Sequence, residues 1–497
     1  MMEQRIRNRA FFDKIMSSEQ ASLLIKDGMT VGLSGFTRSG DAKVVPLALA
    51  DRVQKSGEQL KINLITGASI GDEVDGVLAE AGLIHKRLPF QNERKMRGKI
   101  NAGELLFIDQ HLSHTAEQVR SGFLPPIDVA ILEIVAITEE GFIIPSTSVG
   151  NSSIFAELAG QIILELNVAQ PLGLEGLHDI YEPGQRGQRQ PIPMTSVEQR
   201  IGTPYIKIDP DKVAAVVITE KSDSTSAIKA PDEETEVMAG HLIDFFEQEV
   251  KKGRLPRSLA PLQSGIGSVA NAVLHGFLKS DCTDLEVYSE VLQDAVFDLM
   301  DAGKVKFASA CSITLSPERA ADVIPNIDKY RDRILLRPQE ISNHPEIIRR
   351  LGLICINTAI ECDIYGNVNS THVMGTNMMN GIGGSGDFAR NALLGVFVTK
   401  STAKDGKISS IVPFVSHVDH TEHDVDLIVT EQGLADLRGL APRERAKVVI
   451  NNCAHPLYKD ALLDYYNAAV KRGGHTPHLL EEALGWHANY LQTGSMM

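Results

Sequence analysis

Short runs of β-branched and aliphatic residues alternate along this chain with longer segments of helical periodicity. In the first half the runs that we predict as buried strands are 30–36, 61–66, 129–132, 161–166 and 214–219. In the second half they are 334–336, 353–357, 396–399, 408–412 and 427–430. Because strands that alternate with helical patterns are typical of parallel sheets, the pattern predicts an α/β fold.

Changes in proline and glycine content and in hydrophobic pattern divide the chain into two predicted α/β domains of similar size. Prolines and glycines are frequent in the stretch 170–204, which predicts an irregular excursion over the surface, such as an arm or a lid. A second loose stretch precedes Pro231 and Asp232, which open an amphipathic helix carrying Met238 and Leu242 on one side. We therefore predict domains at 1–220 and 231–497, joined by a linker at 221–230.

Charge and cysteine content exclude several classes of protein. The chain has 49 Lys and Arg against 64 Asp and Glu, a net charge of −15, whereas nucleic acids and anionic membranes are bound by basic surfaces. The longest apolar run, 129–137, contains Glu133 and is too short for a membrane span. Five cysteines without a CxxC spacing argue against disulfide frameworks and thiolate zinc sites. We expect a cytoplasmic protein that binds neither nucleic acid nor membrane.

A glycine cluster at 381–387 satisfies the pattern G-x-G-x-x-G. A dinucleotide site would need an apolar strand directly before it, but residues 376–380 read Thr-Asn-Met-Met-Asn. Backbone N–H groups of such a cluster could instead face an anion or a developing oxyanion. An ordinary glycine-rich turn is the remaining interpretation.

A second glycine-containing turn, 263–268, is followed by the helical pattern 269–274. A turn that leads into a helix can bind an anion, and it can equally serve only to cap the helix. Glu290 follows a predicted strand and precedes a helical pattern, so we predict it at or near a helix start. There the default interpretation is an acidic residue that favours the helix dipole.

Three histidines spaced three apart, His417, His420 and His423, resemble a metal site. An apolar run with Pro413 upstream predicts a strand leading into a loop, and no HExxH motif or cysteine accompanies the histidines. We therefore favour hydrogen-bonded loop histidines and expect no metal. A Walker A sequence is also missing, which argues against kinases.

Several motifs, taken together and in order, resemble the class I coenzyme A transferases. They are Ser34-Gly35-Phe36-Thr37, 263–267, Tyr288-Ser289-Glu290, Asn343, 366–370, 380–388 and Thr430-Glu431-Gln432-Gly433. The nearest branch is the acetyl-CoA hydrolase/transferase group, and the resemblance runs from about Arg5 to the C-terminus.

This resemblance implies two open α/β domains of the NagB/RpiA-like type, an active site between them, and a homodimer. It implies that Glu290 is the nucleophile and that Asn343 and Glu431 line the pocket around its carboxylate. The residues implied to bind coenzyme A or the thioester oxygen are Gln263, Ser264, Gly265, Ile266, Asn380, Gly384 and Lys404. Of these, Ile266 and Gly384 are the expected oxyanion donors.

The activity implied is transfer of coenzyme A between a short acyl-CoA and a carboxylic acid, with acetate and succinate as the expected pair. Coenzyme A would be a substrate and no cofactor would be tightly bound. Hydrolysis of acetyl-CoA is the alternative enzymatic function. A nicotinamide-dependent oxidoreductase rests only on the glycine pattern, and a non-catalytic acyl-CoA sensor would not need Glu290.

Overall fold

The β-branched runs form parallel sheets in the computed structural model, which describes residues 2–225 and 231–497. The strands of the first half are β1 Thr30–Leu33, β2 Ile62–Ile65, β3 Ile84–Leu88, β4 Leu106–Phe107, β5 Val129–Ile137, β6 Ile143–Pro145, β7 Gln161–Asn167 and β8 Val213–Thr219. Those that follow are β9 Leu262–Ser264, β10 Leu285–Tyr288, β11 Val291–Leu292, β12 Val305–Ala310, β13 Ser312–Ile313, β14 Ile334–Leu336, β15 Ile354–Thr358, β16 Glu361–Asp363, β17 Val368–Asn369, β18 His372–Val373, β19 Asn377–Met378, β20 Leu394–Val398, β21 Thr402–Ala403, β22 Ile408–Ser409, β23 Ile411–Val412, β24 Leu427–Thr430 and β25 Gly433–Asp436.

Helices occupy most of the segments between these strands. They are α1 Met2–Arg5, α2 Ser18–Ser22, α3 Val44–Ser56, α4 Val77–Glu80, α5 Arg94–Asn101, α6 His114–Arg120, α7 Ser152–Leu158, α8 Glu233–Lys251, α9 Ser268–Gly276, α10 Asp294–Asp301, α11 Pro317–Val323, α12 Gln339–Ser342, α13 Pro345–Leu351, α14 Ser385–Ala389, α15 Pro442–Cys453, α16 Pro456–Arg472 and α17 Gly485–Thr493. The order of elements confirms the predicted α/β fold. None of the described helices is long and apolar enough to span a bilayer.

The structure divides into two units. The first contains the described residues of Met1–Ala227 together with Val287–Phe297 and Phe307–Arg350. The second contains the described residues of Ile228–Glu286 together with Asp298–Lys306 and Leu351–Met497. This division differs from the predicted domains, because segments that include Glu290 and Asn343 group with the first half. Part of the predicted linker, 226–230, lies outside the described residues.

The first unit is built on a sheet with strand order β4-β3-β2-β1-β5-β7-β8, to which β6 adds by pairing antiparallel with β5. The strands of the main path are parallel, with Gly32 of β1 opposite Ile65 of β2 and Ala130 of β5. Every residue of β5 is buried, including Glu133, as expected of a mainly aliphatic strand in a parallel sheet. The strand order reverses direction between β1 and β5, and ligands of open parallel sheets bind beyond the carboxyl ends of strands at such a point.

The second unit contains the strand order β9-β15-β20-β24-β25. The first four strands are parallel and β25 pairs antiparallel with β24. Strands β10 and β12 have residues in both units. Helix α8 begins after Asp232, whose carboxylate accepts the backbone N–H of Thr235 at 3.0 Å, so the predicted helix start is confirmed.

Two local expectations need correction. The strand predicted at 408–412 is two strands, because Ser410 separates β22, which pairs with β21, from β23, which pairs with β16. The excursion at 170–204 is irregular as predicted, but it is packed into the first unit rather than projecting from it. Its Met194 and Val197 are fully buried, and Asp179 in the same excursion forms a buried ion pair with Arg337.

Candidate active site

Glu290 lies just beyond the carboxyl end of β10. Its backbone oxygen accepts N–H groups from Cys311 at 2.9 Å and Ser312 at 3.1 Å. The next two residues form β11, and helix α10 begins only at Asp294, so the expected position at a helix start is wrong. A helix dipole acts mainly within about one turn, so hydrogen-bond donors close to Glu290 bear on its charge.

Asn343 donates a hydrogen bond to the Glu290 carboxylate. It is fully buried after the last turn of α12, and its Nδ2 donates to Oε1 of Glu290 at 3.0 Å. Because an ionised carboxylate only accepts hydrogen bonds, the amide presents Nδ2 to Glu290, and its Oδ1 lies 3.1 Å from the Ser342 hydroxyl. The structure thus brings together two residues that are 53 positions apart in the chain.

An apolar cluster lies beside the nucleophile candidate in the first unit. Its members are Phe36, Ala68, Leu112, Val291 and Cys311, with Phe90 packed against them. Burial raises the pKa of the Cys311 thiol far above its usual range, and the charge of Glu290 adds to the effect. Cys311 therefore stays a thiol at neutral pH, which leaves the carboxylate as the nucleophilic group here.

Sequence analysis missed a group of hydroxyls in the same unit. The hydroxyls of Thr37 and Thr314 are hydrogen-bonded, and Ser39 Oγ lies 2.8 Å from Thr314 Oγ1. Thr314 follows β13, and its N–H donates to the oxygen of Leu292 in β11 at 3.0 Å. Thr37 has φ of 59°, a left-handed conformation that is rare for a β-branched residue. The motif 34–37 contained a signal for Thr37, whereas nothing in the sequence marks Thr314.

The turn after β9 belongs to the second unit. The Gly265 N–H donates to the oxygen of Ile356 at 2.9 Å, and the side-chain amides of Gln263 and Asn357 face each other at 3.3 and 3.5 Å. These bonds hold the turn against β15. Ile266 is 46% exposed, so the tip is open to a ligand, and helix α9 follows as predicted.

The glycine cluster forms a loop between β19 and α14 in the same unit. Asn380 Nδ2 donates to the backbone oxygens of Ser370 and Gly381, both at 2.9 Å. Gly383 has φ of 60°, which glycine adopts without strain, and Gly384 directly precedes α14. Strand β19 has two residues and is antiparallel to β18, so the context of a dinucleotide fingerprint is not met.

Glu431 lies in the turn between β24 and β25. Its carboxylate accepts the backbone N–H of Ser401 at 2.8 Å, the hydroxyl of the same residue, and Gln432 Nε2 at 3.0 Å. Burial opposes ionisation, but these hydrogen bonds outweigh it and hold the pKa of Glu431 below its usual range. Glu431 is therefore ionised at neutral pH.

Lys404 stands at the tip of the β21–β22 hairpin, where it is exposed. The Lys407 N–H donates to the Lys404 oxygen at 3.2 Å, and the two residues that this bond encloses, Asp405 and Gly406, have φ of 55° and 79°, the left-handed pair of a tight turn. The stretch 220–230 before α8 contains two further lysines. Lys221 pairs with Glu73 at 3.2 Å, and Lys229 lies outside the described residues.

The predicted site residues are therefore divided between the units. Glu290 and Asn343 are in contact in the first unit, and Gln263, Ser264, Gly265, Ile266, Asn380, Gly384, Lys404 and Glu431 belong to the second. Their individual roles stay predictions. No group of three or more His, Cys, Asp or Glu residues suited to a metal ion occurs among residues 2–225 and 231–497.

Comparison with protein families gives two matches. The acetyl-CoA hydrolase/transferase N-terminal domain matches residues 1–218, and the C-terminal domain of the same family matches residues 321–466. Together they cover most of the chain.

Relatives of known activity are similar over almost their whole length. The succinyl-CoA:acetate CoA-transferase of Clostridium kluyveri is 52% identical over 99% of this chain and 92% of its own. The acetyl-CoA hydrolase of Schizosaccharomyces pombe is 47% identical over 100% of this chain and 98% of its own. The propanoyl-CoA:succinate CoA transferase of Escherichia coli is 43% identical over 97% of this chain and 98% of its own.

Solved structures agree on the fold. RipA from Yersinia pestis superimposes with a TM-score of 0.70 at 22% identity, over 93% of this chain and 98% of its own. A 4-hydroxybutyrate CoA-transferase from Porphyromonas gingivalis gives a TM-score of 0.65 at 19% identity, over 92% and 98%. Both likenesses confirm the expected CoA-transferase fold.

Proposed function

Because the chain belongs to the acetyl-CoA hydrolase/transferase family, we propose that it transfers coenzyme A between a short acyl-CoA and a carboxylic acid, with acetyl-CoA and succinate as the favoured pair. The observation that carries the proposal is the Glu290 carboxylate held by Asn343 Nδ2 at 3.0 Å. Relatives that transfer coenzyme A to acetate or succinate support the choice of acids.

The reaction begins when a Glu290 oxygen attacks the acyl-CoA carbonyl, and coenzyme A leaves as the thiolate. The product is a mixed anhydride between Glu290 and the acyl group. The thiolate then attacks the glutamyl carbonyl, the acid departs as its carboxylate, and a glutamyl-CoA thioester remains. An acceptor carboxylate reverses both steps, so glutamate serves as nucleophile and as temporary carrier.

Each attack passes through a tetrahedral oxyanion that needs fixed donors. The backbone N–H groups of Gly384 and Ile266 are our candidates, since both lie in turns held by hydrogen bonds to neighbouring segments. Loss of one such donor typically raises a barrier by about 2.7–4 kcal/mol. Asn343 orients the nucleophile, and Glu431 supplies a fixed negative charge that lines the pocket.

Coenzyme A is proposed as a substrate that binds along Gln263, Ser264, Gly265 and Asn380, with no tightly bound cofactor. The exposed ammonium of Lys404 would pair with a phosphate of the coenzyme, which gives an acidic chain the local positive charge that it needs. A cytoplasmic homodimer is part of the same proposal.

Hydrolysis of acetyl-CoA is the second candidate function, and acetyl-CoA hydrolases among the relatives favour it. Water can attack either covalent intermediate, so the outcome depends on how well the site excludes water. The two functions separate when acetyl-CoA loss is followed with and without succinate. Transfer predicts faster loss with formation of succinyl-CoA, and hydrolysis predicts an equal rate.

The covalent step is tested by trapping. After incubation with acetyl-CoA, borohydride should reduce the glutamyl thioester, and peptide mapping should find Glu290 converted to a primary alcohol. Glu286, on β10 and four residues earlier, is the matched control and should stay unmodified. An active enzyme whose Glu290 is never modified would refute the mechanism.

A further inference from the structure

The histidine-rich segment 417–424, whose spacing resembles a metal site, forms hydrogen bonds at and near the glycine loop. Its Asp419 and His420 contact the residues that flank and form the glycine loop 380–385, all within the second unit. Asp419 accepts the Ser370 N–H at 2.7 Å and the Thr371 hydroxyl at 2.8 Å. These contacts anchor the residues before β18, and the oxygen of Thr371 in turn accepts the backbone N–H of Met379, next to the loop, at 2.7 Å.

His420 reaches the loop itself. Its Nε2 lies 3.2 Å from Ser385 Oγ and 3.3 Å from Ser370 Oγ. The ring packs on Phe397 with centroids 4.7 Å apart, and the residue is 3% exposed. Its backbone exchanges hydrogen bonds with Val368 at 2.8 and 3.1 Å. The imidazole is therefore fixed from three sides.

We assign the donor role to the imidazole. Ser385 Oγ donates to the oxygen of Ile382 at 2.8 Å, and Ser370 Oγ can donate to Asp419 Oδ2 at 3.4 Å. With the single hydrogen of each hydroxyl placed on these oxygens, both hydroxyls accept from His420. This assignment puts the proton of His420 on Nε2, where the two serines share it.

Both ends of the loop are connected to His420 Nε2, one directly through Ser385 and the other indirectly through Ser370, which lies outside the loop. At one end, Ser370 also accepts Asn380 Nδ2 on its backbone oxygen at 2.9 Å. At the other end, Ser385 directly follows Gly384 and hydrogen-bonds to Ile382 inside the loop. A shift of the ring would move both attachments together.

We propose that His420 is a positioning residue for the Gly384 N–H, acting through Ser385 and Ser370 without touching the substrate. The proposal rests on the proposed function, because Gly384 needs precise placement only if it stabilises an oxyanion. A misplacement of about 1 Å can cost about 100-fold in rate, which is why a buried donor beneath the loop matters.

The first test compares two substitutions of the same ring. His420→Leu keeps the bulk and removes the donor, and we expect kcat to fall about 10- to 100-fold with the KM for acetyl-CoA changed less than about twofold. His420→Gln places an amide N–H near the position of Nε2 and should recover most of the loss. The exposed His423, changed to Leu, is the matched control and should behave as the native enzyme does.

A double-mutant cycle identifies the route. Ser385→Ala should lower kcat by itself, and adding it to His420→Leu should cost little more, because both remove the same connection. Losses that multiply, a native kcat in His420→Leu, or a raised KM with native kcat would each overturn the proposal. Should His420→Leu not fold, Ser385→Ala and His420→Gln decide the matter, and a native kcat in Ser385→Ala overturns it.

Trapping of Glu290 separates this proposal from the function on which it rests. If the native protein forms no glutamyl thioester, the proposed function fails. If the native protein forms it and His420→Leu forms it at the same rate in a single turnover, only the role of His420 fails. A slower single turnover in His420→Leu, with unchanged thermal unfolding, is the expected result.

Discussion

Replacing Asn343 by Asp tests how the nucleophile is held. The substitution keeps the shape of the side chain and the oxygen that faces Ser342, but it puts a carboxylate oxygen where Nδ2 now lies, 3.0 Å from Glu290 Oε1. Two charges about 4 Å apart repel by about 4 kcal/mol at an effective dielectric constant of about 20. Position 343 is fully buried, so water screens this repulsion little.

That repulsion equals about three powers of ten in proton affinity, at about 1.4 kcal/mol for each. The pair should therefore keep one shared proton into the neutral range, where Glu290 cannot act as a free carboxylate. We expect the kcat/KM of the Asp variant to rise about tenfold per pH unit over part of the range from about pH 6 to 8.5. The native enzyme should show no such limb there.

Steady-state rates with acetyl-CoA and succinate over that pH range provide the assay. Asn343→Ala is the control, because it removes the donor without adding charge and should be slower at every pH with a flat profile. If the Asp variant has a profile parallel to that of the native enzyme, then Asn343 does not face the reactive carboxylate and the assignment of Glu290 is refuted.

Two further substitutions test binding and stability. Lys404→Ala should raise the KM for acetyl-CoA up to about fivefold and leave it unchanged for acetyl-pantetheine, which lacks the nucleotide phosphates. Lys407→Ala on the same hairpin is the control, and an equal effect of Lys404→Ala on both thioesters would contradict the phosphate contact. Arg337→Met should lower the free energy of unfolding in urea by about 3–5 kcal/mol, because the buried Asp179 carboxylate loses the charge of Arg337 and keeps backbone N–H donors from Ile201 and Gly202. The exposed pair of Lys95 and Glu80 provides the comparison, where Lys95→Met should leave the free energy of unfolding close to that of the native protein.

Local sequence was enough to predict the central strands β1, β2, β5, β15 and β20, but it missed β3, β4, β6, β9, β12 and β25. The aliphatic run at 129–132 extends to a fully buried nine-residue strand, because nothing polar interrupts it except Glu133, whose carboxylate binds Lys43. The prediction of a single strand at 408–412 failed because strand pairing sets the limits of the strands there. Residues 408–412 read as one strand, yet their partners lie in different sheets and Ser410 bends between them. A periodicity argument contains no information about partners.

For the candidate site, too, the sequence identified individual residues but not the contacts between them. Resemblance found Glu290 and Asn343 separately, but their contact joins residues 53 apart and the local pattern wrongly put Glu290 at a helix start. His420 was noticed for the wrong reason, since its partners Ser385 and Ser370 are 35 and 50 residues away. Only the folded chain shows that it lies beneath the glycine loop.

Asn343 and His420 hold their neighbours in place by the same physical means. Both are buried, and each places an N–H donor on a reactive or ligand-facing segment of its own unit. A buried donor has no water to replace its partner, so leaving it unpaired costs about 1–3 kcal/mol and the contact persists. The nucleophile and the glycine loop are thus each held in place before substrate arrives, which is the condition for hydrogen bonds to favour the transition state rather than the substrate.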